Sequence, residues 1–223
     1  MKLEIHKTIR SPRRRRIKIE IDPNAKITLR VPTYATNDDI TNFLESNYEW
    51  ISNTLNKFLE HPPFIRQYIN NENFLFLGTN YPLHISKERS VPFVFDGSRF
   101  IIEERVIKEA KEYFEKFYKN RANSIIKARV FDIAGKLGVR INKLRITSAQ
   151  RRWGSCNSEG NVNFSWRLIM ATPSSIDYVI IHEFCHLWEF NHSKKFWELV
   201  EKLMPDYRQH KNWLEKNSRF MIL

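Results

Sequence analysis

Alternating apolar positions open the chain. Ile17, Ile19 and Ile21 share one face of an extended segment, and Ile27, Leu29 and Val31 share one face of the next, with Asp22-Pro23-Asn24 as a turn between them. A β-hairpin is expected. From Asn37, a candidate N-cap, the spacing becomes helical. Ile40, Phe43, Leu44, Ile51, Leu55 and Phe58 recur on one side until Pro62-Pro63, where the missing amide hydrogens forbid continuation. Strand-like runs return at 73–77, 81–86, 92–95 and 100–102, with turn signals at Gly78-Thr79-Asn80 and Asp96-Gly97. Residues 1–102 therefore read as a β-rich module with one helix, suited to positioning a protein substrate or partner.

The pattern then lengthens. Val106, Ile107, Ala110, Tyr113, Phe114 and Phe117 form one helical stripe and Ile126, Ile133, Ala134 and Leu137 another, closing at Gly138 as one helix or two. A short apolar run at 144–147 predicts a strand. Val162, Phe164, Trp166 and Leu168 predict a second, alternating strictly with Asn161, Asn163, Ser165 and Arg167, and the loop from Trp153 to Gly160 joins the two. Helices are expected from Ser174 to Phe190, from Ser193 to Met204, and in a shorter piece after Pro205. Strands mixed with helices in this order give an α+β fold, with residues 103–223 as the second domain.

Composition narrows the function classes. A chain of 223 residues with 42% hydrophobic positions can build a real core. Lys and Arg number 37 against 25 Asp and Glu, a net charge of +12 that attracts polyanions or acidic proteins. Two cysteines, Cys156 and Cys185, are too few for a disulfide framework or a zinc ribbon and point to a reducing compartment. No apolar run approaches the roughly 18 residues of a membrane span. The segment Met1 to His6 lacks the apolar stretch of a secretory leader, so a cytoplasmic location is expected. Arg13, Arg14, Arg15 and Arg16 admit two readings, a solvated strand edge or a grip on nucleic-acid phosphates. The first is favoured, because no stacking-aromatic module accompanies them.

Chemistry concentrates in His182-Glu183-Phe184-Cys185-His186, an HExxH string. At 3.6 residues per turn, the two histidines lie about 40° apart around the helix axis and can share a metal at roughly 2.0 to 2.1 Å. Glu183, about 100° away, is placed to take a proton from a water in the open coordination position rather than to ligate. A catalytic zinc takes three protein ligands, and His192 is the nearest candidate. On a continuous helix it would sit about 9 Å further along and about 240° around, so the helix has to end between His186 and His192. Asn191, tolerant of the left-handed conformation, and Ser193, a good N-cap, write that reversal into the sequence. A chance HExxH in a chain of this length has odds on the order of 1 in 100. The apolar run Tyr178-Val179-Ile180-Ile181 before it buries the helix start, and buried histidines need partners.

The histidine spacing also matches the metzincin pattern HExxHxxGxxH, but Glu189 stands where that pattern has Gly. A different likeness covers more of the chain. Arg152-Trp153-Gly154-Ser155-Cys156, Asn163 with Trp166-Arg167-Leu168, Asp177-Tyr178-Val179, the histidine segment, Asn191-His192-Ser193 with Phe196-Trp197, and Pro205-Asp206-Tyr207 together resemble the YgjP-like metallopeptidase family, akin to the SprT-like and WLM zinc peptidases. The segment from Ser11 through the arginines and Trp50-Ile51 resembles the family's leading part. The resemblance implies a zincin-like catalytic domain with zinc on His182, His186 and His192 and with Glu183 as base.

Other residues carry expectations of their own. Arg152, Tyr207 and His210 are candidate donors to the oxyanion. The strand Val162 to Leu168 is either an edge on which a peptide docks or a plain core strand. Cys185 points away from the metal. Cys156 is a packed loop residue rather than a switch thiol, and Trp188, Trp197 and Trp213 are expected in the core. The reading that follows is a zinc-dependent peptidase acting on peptides or proteins. Its rival is a nucleic-acid-associated binding module with a non-catalytic zinc site, which would need a fourth ligand that the sequence does not place.

Overall fold

The computed structural model describes residues 3–22, 24–60, 64–88 and 91–223. Its chain contacts divide it into two compact units, residues 1–64 and 65–223. In the first unit, β2 (Lys18–Ile21) and β3 (Ile27–Pro32) pair antiparallel with Ile19 opposite Leu29, as the alternation predicts. Pro23 of the expected turn lies outside the described residues. A strand that the pattern does not announce, β1 (Ile5–Ser11), pairs parallel to β3 and puts β3 in the middle. Leu29, Val31 and Ala35 form this unit's buried cluster, with Ile40 and Leu44 packed on it.

The helix expected from Asn37 is two helices, α1 (Asn37–Ser46) and α2 (Tyr48–Glu60), interrupted at Asn47. The N-cap is Thr36, one residue earlier than expected. Thr36 Oγ1 accepts the Asp39 amide at 3.1 Å while the Asp39 carboxylate accepts the Thr36 amide at 2.8 Å, a reciprocal capping box. Pro62 and Pro63 lie outside the described residues.

The second unit holds two sheets and the longest helix. Strands β4 (Asn73–Phe76), β5 (Thr79–Ser86), β6 (Phe93–Phe95) and β7 (Phe100–Glu103) run in the order β4-β5-β7-β6. They pack on α3 (Ala110–Leu137), one continuous helix that ends where Gly138 takes a left-handed φ of 65°. The Phe74 and Phe114 rings stack at 4.0 Å, so these strands share a core with the helix that follows them. The expected domain boundary at 102 falls inside this unit.

The second sheet comprises β8 (Lys143–Thr147), β9 (Gly154–Cys156) and β10 (Asn161–Ser165), with β10 in the centre. Two expectations for the segment Val162 to Leu168 change. The strand stops at Ser165, whose hydroxyl accepts the Arg167 amide, and a 3-10 turn (Trp166–Met170) keeps Trp166 and Leu168 buried. Partners on both sides leave β10 without a free edge, so a substrate strand cannot add to it.

Three helices follow, α4 (Pro173–Cys185), α5 (Lys194–Leu203) and α6 (Tyr207–Asn217). Thr172 caps α4, its hydroxyl accepting the Ser175 amide at 3.1 Å. That cap is gripped by the β4–β5 turn. The Leu77 and Gly78 amides donate to Ile169 and Met170 carbonyls at 3.0 Å each, and a Cβ on Gly78 would lie 2.4 Å from Thr172 Cγ2. Arg129 of α3 forks onto Asp177 of α4 at 2.6 and 2.5 Å, a planar bidentate clasp that holds the helix's first turns. Among the described residues, no helix is long and apolar enough to cross a membrane.

Candidate metal centre

Helix α4 is buried on almost every side, through Ile176, Val179, Ile180, Phe184 and Cys185, so its last turn is rigidly placed. His182 lies in that turn and His186 is its C-cap, still with helical φ of −66° and ψ of −11°, which preserves the i, i+4 spacing. The helix therefore ends at Cys185, earlier than the expected Phe190. Amides of Leu187 and Trp188 turn back to Phe184 and Cys185 carbonyls at 2.9 and 3.1 Å, the tight i to i+3 pattern that closes a helix. Trp188, expected in the core, is carried outward by this turn and is 49% exposed. The reversal does not use a left-handed Asn191, which is absent from the described residues with positive φ. It uses a tight turn in which the Ser193 amide donates to the Asn191 carbonyl at 2.7 Å. Ser193 then caps α5 as expected, accepting the Phe196 amide at 3.3 Å.

The reversal brings His192 back beside the other two histidines. Ligand atoms of His182, His186 and His192 all lie within 4.8 Å of one another, and the Nε2 atoms of His182 and His192 are 3.0 Å apart. Two nitrogens at 2.0 to 2.1 Å from a tetrahedral ion sit about 3.3 Å apart, so this separation fits a shared cation with a shift of a few tenths of an ångström. Nδ1 of His186 faces the Glu189 carbonyl at 3.1 Å, which directs its Nε2 towards the cluster. His182 is held by rings instead. Phe196 lies at 4.9 Å and Tyr178 at 5.8 Å, and its buried Nδ1 has no hydrogen-bond partner among the described residues. Burial, with His186, His192 and Lys211 nearby, pushes the His182 pKa down to about 3. Burial also lowers that of His192. Neutral imidazoles are what a metal requires.

Glu183 is buried, and burial raises its carboxyl to about 7 against the opposing pull of the Arg152 guanidinium and the Cys156 amide. Strand β9 is pressed onto it. A Cβ at Gly154 would lie 2.6 Å from Glu183 Cγ and 2.7 Å from Oε1, so the carboxylate occupies the space that any side chain there would need. Gly154 belongs to the Arg152-Trp153-Gly154-Ser155-Cys156 string, whose residue types alone give it no role. A glycine in a strand commonly marks close approach by another group, but Gly-Ser-Cys has no alternation to announce β9, so the sequence carries no signal for this role.

Residues 15–217 match the YgjP-like metallopeptidase domain. The chain belongs to the YgjP-like family. Membership makes it a metallopeptidase, a hydrolase of proteins or peptides that works with a metal. Among solved structures, the metallopeptidase zymogen of Pyrococcus abyssi abylysin is similar at 21% identity, over 41% of this chain and 93% of that chain, with a TM-score of 0.36. A comparison with curated proteins finds no match.

In this YgjP-like chain a cleft of about 370 Å³ opens beside Glu183 and His182, floored by Tyr178 and Val179 of α4 and flanked by Arg152, Trp153 and Leu214. Of the three candidate oxyanion donors only Arg152 lines it. Tyr207 is buried in a stack between Tyr178 and Trp197, at 6.2 and 5.5 Å, and His210 is engaged by Asp206 at 3.1 Å. Lys211, which the sequence did not single out, lines the cleft as well. Trp197 leans on the His192 ring at 5.7 Å, and Trp213 is partly buried. Burial raises the Cys185 thiol to about 12, and burial together with Glu183 raises Cys156 to about 11, so neither is a poised thiolate. Arg13 to Arg16 belong to the first unit, where they line a depression of about 460 Å³ in the connection from β1 to β2.

Proposed function

We propose that the protein is a zinc-dependent peptidase in which His182, His186 and His192 hold the ion and Glu183 is the general base. The observation that carries this reading is the convergence of three histidines, with the pKa values of His182 and His192 lowered by burial, beside one buried carboxyl. Three histidines with no fourth protein ligand among the described residues suit zinc in a catalytic rather than a structural role. When bound, the ion supplies Lewis acidity to the scissile carbonyl and makes water a stronger acid. Glu183 takes the proton of the attacking water and passes it to the leaving amine, a shuttle that works best for a group titrating near neutrality. The Cys156 amide and the flank of Gly154 hold that carboxylate in direction. Arg152 is the donor for the developing oxyanion.

The docking edge passes from β10 to β9. The Ser165 amide donates to the Trp153 carbonyl at 2.8 Å, which makes Gly154 and Phe164 a non-hydrogen-bonded pair. The polar backbone groups of Gly154 thus face away from β10, as a strand accepting a substrate backbone requires. Two unpaired cysteines support a reducing compartment such as the cytoplasm.

The test is metal analysis joined to a cleavage assay on an unfolded protein such as casein. Wild-type protein should hold one zinc, and removal and return of zinc should abolish and restore cleavage. Glu183→Gln should keep the zinc and lose about 10² to 10⁴ of the rate. His192→Ala should weaken zinc retention. A Glu183→Gln protein as active as wild type would sink the proposal.

A further inference from the structure

Lys211 lines two depressions. One is the cleft beside Glu183, and the other is a trough of about 500 Å³ formed by Lys194 and Trp197 of α5 with Tyr207, Arg208, Lys211 and Asn212 of α6. The trough carries three cations and no carboxylate in its lining. Acidic neighbours do exist, but each stands beyond hydrogen-bond reach. Lys194 is 3.6 Å from Glu198, Arg208 is 3.7 Å from Glu201, and Lys211 is 3.8 Å from Glu215. Exposed pairs of this kind are weak and readily exchanged. Each cation is thus loosely paired and can exchange its partner for another anion.

The trough also adjoins the histidines. The Trp197 ring lies 5.7 Å from that of His192, and the Lys211 ammonium lies 5.2 Å above the same Trp197 ring. An extended chain advances about 3.3 Å per residue, so a peptide at the histidines reaches Lys211 within about three residues.

We propose that this trough binds carboxylates of the polypeptide substrate, so that the peptidase selects chains with acidic groups a few residues from the scissile bond. The inference deepens the peptidase reading and rests on it. The occupant follows from charge complementarity and from the lysine shared with the cleft. The carboxylate can belong to Asp or Glu side chains or to a free C-terminus.

The test is fluorescence anisotropy on the full-length Glu183→Gln protein, which binds without cleaving. Four labelled probes are compared at low salt: an amidated peptide with three Glu, its Gln counterpart, a neutral peptide with a free C-terminal carboxylate, and an oligonucleotide of the same net charge as the Glu peptide. The Glu peptide should bind about tenfold more tightly than the Gln peptide. That ratio should shrink towards one at 0.5 M salt, where screening acts within a few ångströms. Tight binding of the neutral free-acid peptide, with loss on amidation, would assign the C-terminus as the source instead.

Combined Lys194→Glu and Arg208→Glu substitutions should erase the preference. Both side chains are exposed, and an unchanged melting temperature confirms folding. The proposal is overturned if no carboxylate-bearing peptide outbinds its neutral counterpart, if the preference survives the double substitution, or if the oligonucleotide outcompetes the Glu peptide. Binding does not need catalysis, so a wild-type protein that cleaves nothing would remove the peptidase reading while these affinities still decide the trough.

Discussion

The Gly154–Glu183 contact is where a single hydrogen atom matters most. Adding one methyl at Gly154 places carbon 2.6 Å from Glu183 Cγ, well inside van der Waals contact, so the buried carboxylate has to leave its present position, and the cleft beside it is the space it can move into. Gly154→Ala should lower kcat/KM about 10²-fold, the scale of loss expected when a reacting group is displaced by an ångström, and leave zinc content unchanged. Peptide kinetics alongside metal analysis check this. Glu183 itself offers a second measurement. Burial favours its neutral form, so in metal-free protein a carbon-13 signal from its carboxyl should titrate near pH 7, protonated below and ionised above. Zinc beside it favours the carboxylate and should move the midpoint down. Arg152→Ala removes a group that favours the carboxylate and should move it up.

At the scale of elements, the reversal between α4 and α5 decides whether a third histidine is available. Ser193 stabilises it by capping α5 next to His192. Ser193→Ala should destabilise the protein by about 1 kcal/mol and weaken zinc binding, seen as a lower midpoint in chemical denaturation and a faster loss of metal to a chelator. Elements with strong periodicity were legible from the sequence. The β2–β3 hairpin, the strands at 73–103, α3 and α5 all follow their apolar spacing. Those that went unread lack such a signal. Strand β9 is Gly-Ser-Cys, with no alternation, and β1 shows an apolar residue only at Ile5 and Ile9. The alternation from Val162 runs past the strand's end because the 3-10 turn after Ser165 buries Trp166 and Leu168 at the same spacing as a strand.

For the whole molecule, the two units carry separate cores of unequal size. The core of residues 1–64 is small, and a domain of that size is marginal alone. Calorimetry should show two transitions, the lower from the first unit. Zinc should raise only the upper one, by about 4 kcal/mol of stability at a concentration 1,000 times the dissociation constant.

The sequence by itself determined that His182 and His186 share a helix face with Glu183 beside them, because a helical period converts spacing into direction without help from distant residues. It also determined that the chain reverses before α5, since Ser193 is a capping residue in its own right. Only the tertiary structure decided that His192 meets the other two, that the space beside Glu183 is reserved by Gly154, and that Lys211 rather than His210 faces the cleft. Each of these depends on how a turn or a three-residue strand is pressed against a helix remote in sequence. Packing of that kind leaves no periodic trace for the residues themselves to reveal.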